Sequence, residues 1–250
     1  MVILAHGFGG SARNFRPQAR ALSDRYRVVL YDARGHARSE APGEPAQYEP
    51  ECFVEDLLAV VDGTGEQSVV VGGLSMGAGV ALRFALAHPQ RVRGLVLAAF
   101  PSPPRSQAGR PWALAFADAI DERGVAAAGS EFVWGERSRF DPDGARLIRQ
   151  GFLEHPRHAL SSTLRHLLAV QPGVAAMREA LAALAMPVLL PVGSRDAGSL
   201  EVTRRLAQAL PDSELVVVEG AGHVVNLADI EAFNAALTRF LARLPEGAAA

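Results

Sequence analysis

Short apolar runs alternate with amphipathic stretches through most of this 250-residue chain, and no other feature limits its fold so much. The runs are residues 2–5, 28–31, 68–71, 94–98, 187–192 and 214–219. Their lack of polar alternation suits parallel strands covered on both faces. Between them, residues 14–22, 50–61, 76–87, 200–210 and 229–244 carry helical periodicity. Pro50 suits a first helical turn, and the third and fourth of these helices stop at His88-Pro89 and before Pro211. Strand–helix alternation of this kind predicts a doubly wound, mostly parallel α/β sheet.

The alternation fails between residues 101 and 185. After the stiff Pro101-Ser102-Pro103-Pro104 segment this stretch reads as wholly helical, over 112–123, 143–154, 157–170 and 174–184. Asp141-Pro142 supplies a capping start for the second helix. An all-helical insertion between two strands is most simply a lid over the strand ends. The expected organisation is therefore a core of residues 1–100 and 186–250, with a helical cap of residues 101–185. The tail from Pro245 to Ala250 is expected to fray.

Composition then removes whole classes of function. A net charge of −2 and a pI near 6.4 argue against a nucleic-acid partner. No apolar run is long enough to cross a bilayer, so no membrane partner is expected. The single cysteine, Cys52, forbids an internal disulfide and a Cys-rich metal site. With 25 basic residues and no lysine, all are arginine, which excludes lysine Schiff-base chemistry and a P-loop lysine. No signal peptide is recognisable, so the expected location is the cytoplasm. No metal or cofactor is expected.

The chemistry-bearing residues sit where strands end. Gly73-Leu74-Ser75-Met76-Gly77 lies where a strand turns into a helix, the setting in which a sharp turn exposes a nucleophilic serine. A serine needs a base. His223, in Gly220-Ala221-Gly222-His223 just past the last strand, is the best placed of seven histidines. The base needs a carboxylate to fix its tautomer. Asp196 follows the strand 187–192, although it could equally cap the helix near Leu200; Asp212 and Glu219 are weaker candidates. The expected oxyanion donors are the backbone N–H groups of Met76 and Phe8, the latter in His6-Gly7-Phe8-Gly9-Gly10. His6 would brace that loop without being the base.

These four segments, in this order, resemble the α/β-hydrolase superfamily with a helical cap, over nearly the whole chain. The stretch from Asp32 to Ser39 is similar to the family's Asp-x-Arg-Gly-His-Gly-x-Ser loop. Here Ala37 replaces a glycine, and a positive φ at that position would strain it by about 1 kcal/mol. Family members usually carry two further strands before the first one here, so six parallel strands are expected. The resemblance implies hydrolysis of a small-molecule carboxylic ester or lactone through an acyl-enzyme. One alternative is hydrolysis of a carbon–carbon bond in a vinylogous diketone ring-cleavage product. Another is a catalytically silent ligand-binding relative. Gly79 departs from menaquinone-pathway lyases, which carry arginine there.

A rival from another class is dinucleotide binding, since Gly7-x-Gly9-x-x-Ala12 follows a strand and Asp32 ends the next. In the cap, Trp112, Phe116 and Trp134 are candidate substrate-binding residues, with Phe132 beside them. Arg105, Arg110, Arg137 and Arg139 are candidate carboxylate binders. For any one of the aromatic residues ordinary cap packing is the commoner role, most of the arginines are expected to be solvated, and a homodimer stays open.

Overall fold

The sheet is built from six strands, the four central ones almost wholly buried and the two edge strands half-buried. The computed structural model describes residues 1–101, 106–107, 110–135 and 142–245. Strands β1 (Val2–Ala5), β2 (Val28–Tyr31), β3 (Val69–Leu74), β4 (Val92–Ala98), β5 (Val188–Gly193) and β6 (Ser213–Val218) lie in the order β2-β1-β3-β4-β5-β6. Every neighbouring pair is parallel, from Val2 opposite Val28 to Gly193 opposite Val218. β1 and β2 have the bounds expected from sequence, and the other strands differ by one to three residues at their ends.

Side chains leave a strand on alternate faces, and both faces here are packed. Ile3, Val69, Val71, Leu95, Leu97, Val188 and Leu190 join one core with Phe53 and Leu57 of α2 (Pro50–Gly63), Leu82 and Phe84 of α3 (Met76–Ala87), and Val202 and Leu206 of α8 (Ala197–Ala209). Val2, Leu4, Val70, Val96 and Leu189 point the other way. They meet Leu22 of α1 (Arg16–Leu22) and Phe233, Leu237, Phe240 and Leu241 of α10 (Ile230–Arg243). Burying each such side chain is worth roughly 2 kcal/mol, which is why the strands read as continuous apolar runs.

The chain runs from β1 outward to the β2 edge, then returns past β1 to β3. The loops after β1 and β3 therefore diverge at a topological switch point, where open α/β sheets build sites. Over this end lies the helical insertion. It contains α4 (Trp112–Phe132), broken at Gly124 with φ 83°, then α5 (Pro142–Leu153), α6 (Arg157–Thr163), a π turn over Leu164–Leu168, and α7 (Arg178–Ala182). Its own core gathers Phe116, Ile120, Phe132, Phe152, Leu160 and Leu164. The insertion is not wholly helical: Ser106–Gln107 pairs antiparallel with Arg110–Pro111. The short helix α9 (Val225–Ala228) was also not expected. Ser102, Pro103, Pro104, Arg105, Arg137, Arg139, Asp141 and the tail from residue 246 lie outside the described residues, as does the side chain of Arg110. Among the described residues no helix is long and apolar enough to cross a membrane.

Candidate active site

Ser75 stands at the N-terminal end of α3 with φ 52° and ψ −111°. A non-glycine residue held there stores about 1–3 kcal/mol of strain and persists only where the surroundings enforce it. They do. The Ser75 N–H donates to the Ala98 carbonyl at 2.9 Å, tying the turn to β4. Gly73 and Gly77 let the turn press against β1. A Cβ on Gly77 would be driven into the carbonyl of Ala5, and one on Gly73 into the backbone of Gly77. The loop after β1 lies alongside, with Gly7 so close that a Cβ on it would sit 3.7 Å from Ser75 Cβ.

His6 holds that loop. The Ala33 N–H donates to its Nε2 at 3.0 Å, so the proton is on Nδ1, which donates to the Gly7 carbonyl at 2.8 Å. Burial pushes the His6 pKa down to about 4. The ring is therefore a neutral brace, as expected from sequence. His36 packs tilted against it with ring centres 5.1 Å apart, and His155 meets His36 edge-on at 5.1 Å. His155 lies in the turn after α5, and its Nε2–H donates to the Gly10 carbonyl at 2.9 Å. Nothing in the order of residues marks this third ring, because its partners lie more than a hundred residues away.

Asp196 and His223 meet across two loops. Nδ1–H of His223 donates to Asp196 Oδ2 at 2.6 Å, which leaves Nε2 as the basic nitrogen. The loops are fixed to each other: Arg195 N–H donates to the Ala221 carbonyl at 2.9 Å, and Ser194 N–H to Val218 at 3.0 Å. Asp196 also caps α8, accepting from the Ser199 N–H at 3.3 Å, so one carboxylate serves both the helix end and the His223 ring. Burial alone would raise its pKa. The hydrogen bond and charge of His223, with the hydroxyl and N–H of Ser199, outweigh that and hold it below the usual carboxylate value. The weaker candidate Glu219 instead accepts from the Ser194 hydroxyl at 3.1 Å.

Ser75, Asp196 and His223 line one cavity of about 450 Å³. Its walls include Phe8, Trp112, Phe116, Ile148, Phe152 and Leu168, so it is mainly apolar and aromatic. Met76 is buried at the start of α3, directly after Ser75. Of the expected cap residues, Trp112 and Phe116 face the cavity and Trp134 does not. Trp134 packs edge-on behind Phe152 at 5.8 Å, against the backbone of Gly129 and under the guanidinium of Arg149. Phe132 likewise stacks behind Phe116 at 4.7 Å. Sequence reasoning missed Asn14, Ile148, Phe152 and Ser199. The i, i+4 spacing of Ile148 and Phe152 marks one helix face, but spacing alone does not say which face turns inward.

The dinucleotide reading fails on Asp32. One of its oxygens accepts from the Ala12 N–H at 2.7 Å and the other from Arg38 at 3.3 Å, and its side chain is only 6% exposed. The carboxylate is thus engaged within its own loops and largely covered, rather than presented to a ribose.

Comparison with known proteins gives four likenesses. Residues 2–236 match the sequence model described as "Alpha/beta hydrolase family". A Caulobacter segnis protein named "Putative carbamate hydrolase RutD" is 29% identical over 254 residues, covering 96% of this chain and 91% of its own length. Among solved structures, a thermophilic esterase from Thermogutta terrifontis is 28% identical with a TM-score of 0.84, covering 97% of this chain and 89% of that one. The enol-lactonase from Burkholderia xenovorans is 25% identical with a TM-score of 0.82, covering 97% and 91%.

Proposed function

The chain belongs to the alpha/beta hydrolase family, and we propose that it hydrolyses a small-molecule carboxylic ester or lactone through a Ser75–His223–Asp196 triad. The observation that carries this is the 2.6 Å His223–Asp196 pair on the wall of the cavity that also receives the strained Ser75.

In this reading Ser75 Oγ attacks the carbonyl carbon while Nε2 of His223 takes its proton. Asp196 stabilises the imidazolium so formed. The carbonyl oxygen becomes an oxyanion, held by the N–H groups of Phe8 and Met76, each donor worth about 3 kcal/mol of barrier. The imidazolium then protonates the departing alkoxide, leaving an acyl group on Ser75. His223 next deprotonates a water, which attacks the acyl-enzyme and releases the acid and the free serine. In a lactone the alkoxide stays tethered to the acyl group, and the product is a hydroxy acid.

The esterase and the enol-lactonase among the structural likenesses support this class of bond. The RutD likeness raises a carbamate instead. The cavity suits an ester or lactone with an apolar acyl or alcohol group, since its roughly 450 Å³ is walled largely by aromatic and branched side chains. The deciding experiment has two parts. A fluorophosphonate probe should label the purified protein at Ser75 and should not label Ser75→Ala. Turnover should then be compared across p-nitrophenyl esters, lactones, vinylogous diketones and carbamates. A protein that neither reacts with the probe nor turns over any of the four would be a silent ligand binder.

A further inference from the structure

Ser199 is 3% exposed, in the first turn of α8, three residues after Asp196. Its backbone N–H donates to Asp196 Oδ1 at 3.3 Å, and its hydroxyl oxygen lies 3.4 Å from Nδ1 of His223. Helix capping uses the N–H alone and would be served equally by alanine. The hydroxyl sits beside the short contact between acid and ring, and it also borders the cavity.

A hydroxyl there has two possible partners. Nδ1–H is already committed to Oδ2 at 2.6 Å, a much better acceptor than a neutral oxygen at 3.4 Å. The serine proton can then turn to the carboxylate, whose Oδ1 the backbone N–H of the same residue already contacts. We propose that Ser199 is a positioning residue for the Asp196–His223 pair, its hydroxyl donating to the carboxylate while its N–H fixes the other oxygen. This rests on the reading of those two residues as acid and base. The depressed pKa of Asp196 agrees with a second donor on it.

The consequence is a moderated carboxylate. A donor on Asp196 draws charge away from the ring, so the imidazolium is stabilised less than by a bare carboxylate. Besides Asp196 itself, the only charged side chain lining the cavity among the described residues is Arg195, and the variants below leave it in place.

The sign of the response separates this role from mere support. In Ser199→Ala the carboxylate becomes a stronger acceptor. The proton NMR resonance of His223 Nδ1–H should move further downfield, and the acid limb of the kcat/KM profile should shift to higher pH by about half a unit. Loss of packing support alone, with no change in the charge carried by the carboxylate, would do the reverse, moving the resonance upfield and the limb to lower pH. Ser199→Thr keeps the hydroxyl and should leave both at their parent values. No shift or an upfield shift in Ser199→Ala overturns the proposal, as does an equal shift in both variants, which would make the effect one of volume. The NMR reading needs no turnover. A protein with no hydrolase activity would therefore refute the proposed function while this assignment is still decided by the resonance.

Discussion

Gly77→Ala and Gly79→Ala form a matched pair in which the same change, in the same helix, should act with opposite sign. Both glycines lie in the first turns of α3, where alanine is preferred by about 1 kcal/mol on helix propensity alone. At Gly79 the new methyl meets only the tip of the Gln171 side chain at 3.3 Å and Pro101 at 3.7 Å, so that gain should be kept. At Gly77 it meets the backbone of Ala5 and the His6 carbonyl at 2.7 Å, and no side chain can swing aside. Forcing a methyl into such a contact costs roughly 3 kcal/mol, so about 2 kcal/mol net is lost. For a chain of this size, thermal unfolding should show Gly79→Ala raised by about 3 °C and Gly77→Ala lowered by about 6 °C. Activity should divide them further. The strand that must yield at Gly77 leads directly into the Phe8 loop, and a shift of a fraction of an ångström there should cut kcat about a hundredfold. Gly79→Ala should keep kcat within about threefold. A Gly77→Ala protein as stable and as active as the parent would refute the account of why the turn needs glycine.

Asp196→Asn should lower kcat by about 10³–10⁴-fold with the fold retained, because an amide can present its N–H to Nδ1 and favour the wrong tautomer; steady-state kinetics with circular dichroism checks both. His6 is neutral in the folded chain down to pH about 4 but binds a proton near pH 6.5 when unfolded. Stability should therefore be full above pH 6.5 and fall by up to about 3 kcal/mol as pH drops from 6.5 to 4, and melting temperatures that stay level over that range would refute it. Ala37 has φ 47°, so Ala37→Gly removes about 1 kcal/mol of strain and returns most of it as unfolded-chain entropy. Its melting temperature should rise by no more than about 2 °C; a fall of several degrees would mean that the methyl contributes packing.

The strands were legible because burial on both faces writes itself as unbroken apolar sequence. The positive φ at Ala37 was legible as well, because a loop resembling a known one departed from it at a single residue. The positive φ of Ala99, at 43°, left no trace, since a buried alanine there looks like any strand residue. Asp196 gave two readings that the fold reconciles, one carboxylate oxygen serving a helix and the other a ring. Trp134 shows the limit in the insertion. Phe132 and Val133 just before it are as apolar as the indole, so nothing in the order of residues says which of them faces the cavity and which the layer behind it. Ser199 carried a readable capping spacing from Asp196, but its nearness to His223 depends on a loop 24 residues further along.

The bond from His155 to Gly10 has a practical side for anyone who would retune what this protein accepts. Trp112, Phe116, Ile148 and Phe152 hang from the roof, and roofs are the natural parts to exchange between relatives. Here the roof is moored to the floor at one corner, through a ring that shoulders two others beneath it. A graft that brought new walls but left residue 155 behind would unmoor the very turn that shares the cavity with Ser75, and would lose speed for reasons unrelated to the shape of its guest.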